Sequence, residues 1–258
     1  MASVPQSLPL FYKQLEPLSS QKHAKLRARP REAATFLVGQ HAVPLTVDEF
    51  GLTQRCMPIV FTTGPDPVPL ALMGLNEGVN VFIDGEGRIL PDERVYVPAY
   101  VRRYPFMLAR LRPDSEELSL CFDPTSDAVG DFEEGERLFT DEGEPSDFTK
   151  AVLEFNQMFE EAGIRTGEFM KEINDLGLLM EGEVSIQPDG FDQPFIYRGF
   201  QMVNEQKLSE LRGDQLRKFA QSGLLPLLYA HLFSLSAMRE IFERQIKLGL
   251  LPAPELAA

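Results

Sequence analysis

Between Met57 and Leu90 the chain repeatedly starts a short apolar run and stops it with a cluster of turn residues. Met57 to Thr63 ends at Gly64-Pro65-Asp66-Pro67, and Val68 to Leu75 ends at Asn76-Glu77-Gly78. Val79 to Ile83 ends at Asp84-Gly85-Glu86-Gly87, after which Arg88 to Leu90 can pair back. Such runs are too short for packed helices. Rich in β-branched residues and separated by tight turns, they predict an antiparallel meander.

Beyond the meander the chain is mostly helical. Pro98 suits the first turn of a helix, and Pro105 two turns later stops it. Leu118 to Phe122 alternates and predicts one more strand. Ser146 predicts a cap for a helix from Asp147 to Ala162 that Gly163 ends, and Thr166 predicts the cap of a second helix to Leu176. Glu183 to Gln187 and Phe195 to Val203 read as a hairpin, and Asn204 caps a short helix. Two further helices divide near Gly223, the last carrying Leu228, His231, Leu232, Leu235, Met238 and Phe242 at helical spacing. Strands first, helices later and one hairpin among the helices give an α+β fold, an N-terminal antiparallel meander followed by a mostly helical C-terminal half in a single compact domain. Residues 1–50 form a Pro-punctuated lead-in packed on that domain, and Thr46 with Glu49 has the spacing of a capping box.

Charge narrows the function classes. The 258 residues carry a formal charge of -14, which argues against polyanionic partners such as nucleic acid or an anionic membrane surface. About half of that charge lies between Asp131 and Asp147, a stretch expected to be a solvated loop anchored by Leu138 and Phe139. It lacks the spacing of a Ca²⁺-binding loop. The most apolar stretch, Leu224 to Ala237, is too short to span a bilayer and contains Pro226 and His231, so a buried helix is expected there. No basic and apolar leader opens the sequence, so a cytoplasmic location with Cys56 and Cys121 reduced is expected, while export without a signal stays open.

Few groups gather for bond-making. The three histidines stand far apart, at His23, His41 and His231, and the two cysteines form no Cys-x-x-Cys pair. No metal site and no cofactor are expected from these spacings, and the phosphate-binding glycine motifs and the Gly-x-Ser-x-Gly elbow are missing. His231, on an apolar helical stripe, reads as a general base or, more simply, as a core histidine bonded to a carbonyl or carboxylate. Arg102 and Arg103, with Tyr96, Tyr100 and Tyr104 around them, form the most distinctive cluster. Guanidinium groups hold carboxylates bidentately and tyrosines stack and donate, so the cluster reads as an anion or peptide-carboxylate site. The competing reading has an arginine paired with nearby acids and the tyrosines packed at the edge of the core.

Several strings also occur together in a known order: Phe11-Tyr12, Pro17-Leu18 and His23, then Val43-Pro44-Leu45 and Glu49-Phe50. Pro58 to Phe61, Met73 to Leu75, Asn80, Phe82, Asp84 and Gly87 follow. The most specific is Tyr96-Val-Pro-Ala-Tyr-Val-Arg-Arg-Tyr-Pro-Phe106, with Leu138-Phe139, Arg165-Thr166, Arg198-Gly-Phe200 and Tyr229-Ala-His-Leu232 beyond it. In order and spacing the chain resembles the bacterial SapC family, with residues 51–252 as the SapC-like α+β domain. The family's name comes from a member linked to a surface layer, so the resemblance implies an accessory role with a possible surface-layer association and supplies no catalytic residues. The expectation is a non-catalytic binding protein using Arg102, Arg103, Tyr100 and Tyr104 to hold a protein, a peptide or a small anionic ligand, with oligomerisation left open. The alternative is an enzyme acting on a peptide or small carboxylate, with His231 or His41 as base and an arginine clamp.

Overall fold

A computed structural model describes residues 8–90, 95–112, 117–188 and 193–251. Turn residues bound most of its elements. Along the chain come β1 (Glu16–Pro17), α1 (Ser20–His23), β2 (Arg27–Ala28), β3 (Ala42–Pro44), α2 (Phe50–Thr53), β4 (Ile59–Phe61), β5 (Pro69–Leu72) and α3 (Ala99–Arg103). Next are β6 (Phe106–Arg110), β7 (Leu118–Phe122), β8 (Val129–Gly130), β9 (Glu136–Arg137) and the long α4 (Asp147–Asp175). β10 (Leu179–Ile186) and β11 (Phe195–Val203) then precede α5 (Glu205–Ser209), α6 (Gly213–Ser222), α7 (Leu224–Ser234) and α8 (Ala237–Leu248). Among the described residues all strand pairs are antiparallel, and the fold is α+β.

The chain groups into two compact units, one of residues 8–36 with Tyr100–Glu161, the other of Leu37–Ala99 with the chain from Ala162 onward. In the first, β1-β7-β6 and β8-β2-β9 form two three-stranded sheets. Phe106, Phe122, Val129, Leu138 and Phe139 cluster as its core. Leu138 is fully buried, so the acidic stretch is pinned at its middle as the sequence predicts. Burying one such leucine contributes about 1.5–3 kcal/mol.

The second unit carries a five-stranded sheet in the order β10-β11-β4-β5-β3. Cβ alternation sends Val60 and Phe61 to opposite faces of β4. Val60 packs with Phe200 and Met238 of α8, whereas Phe61 stacks on His231 of α7 with ring centres 4.6 Å apart.

Four local expectations give way in the structure. Gly163 does not end a helix, because α4 runs through it and its buried stripe continues as Ala162, Thr166, Phe169, Met170 and Ile173. That stripe outweighs the roughly 1 kcal/mol cost of a mid-helix glycine. Thr166 is accordingly no cap: its hydroxyl donates to the Ala162 carbonyl at 2.7 Å and accepts from the Val47 amide at 3.0 Å. Val79 to Ile83 forms no ladder beyond a single bridge between Ile83 and Ile89. There the Asn80 side chain takes the strand's place, accepting from the Phe82 amide and donating to the Leu37 carbonyl. The final helix is divided again after Ser234, where the Ser234 and Ser236 hydroxyls bond back to the carbonyls of His231 and Phe233.

Candidate binding site

Helix α3 is short because the two prolines bound it, and within the first unit it sorts its polar side chains by side. Tyr100, Arg103 and Tyr104 are buried, while Arg102 is exposed. The Arg103 guanidinium lies 4.5 Å from the ring centre of Tyr100 and 4.2 Å from that of Phe159, with Glu160 at 3.4 Å. Burial raises the Glu160 carboxyl above its ordinary range, and Arg103 opposes that rise.

A second arginine, from the basic segment Lys22 to Arg31, enters the same aromatic cluster without any signal in the local sequence. Arg31 lies 4.6 Å from the Tyr104 ring and 5.0 Å from Phe36. It donates to the Tyr104 carbonyl at 3.0 Å and the Ser126 hydroxyl at 2.9 Å. Its Nε stands 3.7 Å from Asp127, too far for a hydrogen bond, and the Nε atoms of both Arg31 and Arg103 are buried without an acceptor. Phe11 completes the cluster against Phe36, Tyr100 and Tyr104, with a backbone φ of 80°. A bulky residue rarely adopts that conformation, and the three rings packed on Phe11 hold it there. Burial raises the phenols of Tyr12, Tyr100 and Tyr104, so all three are neutral donors near pH 7. Tyr12 donates to the Phe106 carbonyl at 2.7 Å and Tyr100 to that of Leu10 at 3.2 Å. The cluster is therefore a rigid cationic and aromatic frame whose outward group is Arg102, which lies 5.1 Å from the Phe155 ring centre.

The histidines occupy three different settings. His23 accepts from the Ser19 amide at Nδ1, faces Glu16 through Nε2 at 3.3 Å and sets its ring edgewise to Phe122. His231 is fully buried, with Nδ1 2.8 Å from the Ile59 carbonyl and Nε2 accepting from the Val203 amide at 3.0 Å. That pairing fixes a neutral ring with its proton on Nδ1. Desolvation pushes its pKa down to about 4, against the Ile59 bond. Both nitrogens are thus engaged by backbone, and the ring bridges β4 to β11.

His41 is half-buried and lines a cleft of about 280 Å³ in the second unit. Val60, Leu70, Leu72, Phe200 and Met238 supply much of its apolar lining, and Thr62, Tyr197 and Arg198 add polar groups. Composition and spacing did not reveal this site, because its residues come from four strands and a helix remote in sequence. The visible signal was Arg198-Gly-Phe200 inside an otherwise alternating strand.

Neither Cys56 nor Cys121 is in a disulfide, and burial pushes the Cys121 thiol up to about 11. Among the described residues no three His, Cys, Asp or Glu side chains gather as a metal site, and no helix is long and apolar enough to cross a membrane. The sequence pattern of the SapC family matches residues 18–241. No curated protein and no solved structure matches the chain.

Proposed function

The chain belongs to the SapC family, and on that premise we propose that it is a non-catalytic binding or accessory protein that holds an acidic peptide, a protein segment or a small anion. The supporting observation is the display of Arg102. Its guanidinium is exposed above Phe155, on a helix whose Tyr100 and Arg103 side chains are anchored in the core. An arginine held by a rigid frame loses little conformational freedom when it takes a carboxylate. Tyr100, Arg103 and Tyr104 then serve as positioning residues, and Arg102 makes the contact. The family's surface-layer name supports the bacterial surface layer as the setting.

Immobilised peptides with acidic or neutral sequences, each with a free or amidated C-terminus, provide the test. Wild type should retain acidic peptides, Arg102→Ala should lose them, and Arg102→Lys should keep part of the binding, all three with matching melting temperatures. Equal retention by Arg102→Ala, or no preference for acidic peptides in the wild type, would sink this reading.

A further inference from the structure

The five-stranded sheet of the second unit ends on an open strand. β10 stands last in the order β10-β11-β4-β5-β3 and runs for eight residues, Leu179–Ile186. Every ladder pair it makes goes to β11. In an antiparallel pair alternate residues turn their N–H and C=O groups away from the partner, so β10 presents a row of such groups on its other side. Among the described residues no other part of the chain bonds to that row. Met180, Glu181, Glu183 and Ser185 are exposed along it.

The two faces of this edge differ in chemistry. Met180 lies opposite Met202 and Val184 opposite Tyr197. Met202 and Val184 pack with Val60, Phe200 and Met238, so Met180, Gly182 and Val184 take the face on which α8 lies. Glu181, Glu183 and Ser185 project from the other face. Glu183 accepts from Arg198 Nε at 2.7 Å, whereas Glu181 forms no ion pair among the described residues. These glutamates work against pairing with a second copy. Two β10 strands joined antiparallel about a two-fold axis set residues of the same face opposite each other. In each central register Glu181 or Glu183 of one copy then meets Glu181 or Glu183 of the other, and like charges so placed destabilise a ladder. The formal charge of -14 adds to that repulsion and favours a cationic partner instead.

We propose that β10 takes up an extended segment of a partner protein as a further strand of the sheet, a segment that alternates basic and apolar residues. Its basic side chains lie beside Glu181 and Glu183, and its apolar side chains lie beside Met180 and Val184. In this mode the backbone ladder supplies the affinity and the flanking side chains choose the sequence. The surface is independent of Arg102, which belongs to the other unit.

The probe is the capped peptide Lys-Val-Lys-Val-Lys-Val-Lys, with Glu-Val-Glu-Val-Glu-Val-Glu as its counterpart, each titrated into the full isotope-labelled chain. The lysine peptide should shift the amides of Leu179–Ile186 and protect them from hydrogen exchange. The glutamate peptide should bind about tenfold more weakly. Glu181→Lys should narrow or invert that preference at an unchanged melting temperature. Two N-methylated lysine peptides, one blocked at every valine and one at every lysine, separate ladder pairing from charge attraction. Alternate amides of a docked strand face β10, so one pattern should abolish binding and the other should spare it. Equal binding by both methylated peptides, amide shifts confined to residues outside β10, or an unaltered preference in Glu181→Lys would each overturn the proposal. So would a dimer joined through β10 in the absence of peptide. The Arg102 variants leave these readings unaffected, so either site can fail alone.

Discussion

The Tyr96 hydroxyl donates to Oε1 of Glu49 at 2.9 Å. The same oxygen accepts from the Ala99 amide at 2.6 Å, and Oε2 accepts from the Thr46 amide and hydroxyl at 3.0 and 2.8 Å. A carboxylate that is 5% exposed is thus satisfied by four donors. The capping box legible at Thr46 and Glu49 reaches beyond its own turn to fix the chain entering α3. Within the second unit, a local signal has become a long-range tie. Tyr96→Phe removes one of the four donors and should cost about 1–2 kcal/mol. Glu49→Ala strands all four and should cost about 3–5 kcal/mol. Urea unfolding at pH 7 measures both. Equal midpoints for the two variants would show that the carboxylate does not organise this corner.

His231 makes the stability of the fold depend on pH. Its pKa is about 4 when folded against an ordinary 6.5, so between those values the unfolded chain binds the proton and the folded chain does not. Stability from this group is therefore complete above pH 6.5 and is lost as pH falls toward 4, by about 3 kcal/mol in total. Urea midpoints at pH 7, 5.5 and 4 should show the decline, and His231→Gln, which keeps a donor and an acceptor, should reduce it. A decline of the same size in the variant would mean that carboxylates alone carry the acid sensitivity.

Arg103 and Arg102 are adjacent in sequence and opposite in consequence. Arg103 is 6% exposed and held between the rings of Tyr100 and Phe159. Arg103→Ala removes that packing and leaves Glu160 in a half-buried site, so it should lower stability by about 2–3 kcal/mol. Arg102→Ala should change stability by less than about 0.5 kcal/mol. Thermal unfolding of the two variants side by side measures the difference. Matching melting temperatures would place Arg103 among the solvated residues and dissolve the frame that presents Arg102.

Turn chemistry made much of this molecule readable. The runs at Val60 and Leu70 became β4 and β5, Asn204 capped α5 through its Oδ1, and Gly223 separated α6 from α7 in the left-handed conformation. Residues whose role depends on distant partners were not readable in the same way. Thr166 carries the signature of a helix cap, yet it sits within α4 because Val47 supplies its donor. His231 gives no hint in sequence that Ile59 and Val203 complete it, nor Ser234 that its hydroxyl accepts from the Ile59 amide at 2.8 Å. These two side chains of α7 occupy both backbone groups of Ile59 just beyond the β4–β11 pairing at Phe61. The cluster around Arg103 was visible as a string, but which of its side chains turned inward depended on Phe11, Phe36 and Phe159, residues far from it along the chain.

Two glycines separate local preference from packing. Gly163 is exposed, and a Cβ there would meet nothing within 4 Å. Gly163→Ala should therefore stabilise the protein by about 0.5–1 kcal/mol, by helix propensity and a less disordered unfolded chain. If Gly163 ended a helix in the left-handed region, the same change would destabilise, so the sign alone tests the continuity of α4. At Gly182 the expectation reverses. A methyl group would stand 2.1 Å from the Phe200 ring, and Gly182→Ala should cost about 1–3 kcal/mol as an overpacked contact. Adding Phe200→Leu should recover part of that loss, because the smaller side chain vacates the space the methyl needs. Denaturant unfolding of the two singles and the double measures the coupling. Strict additivity would mean that the ring does not rest on the glycine.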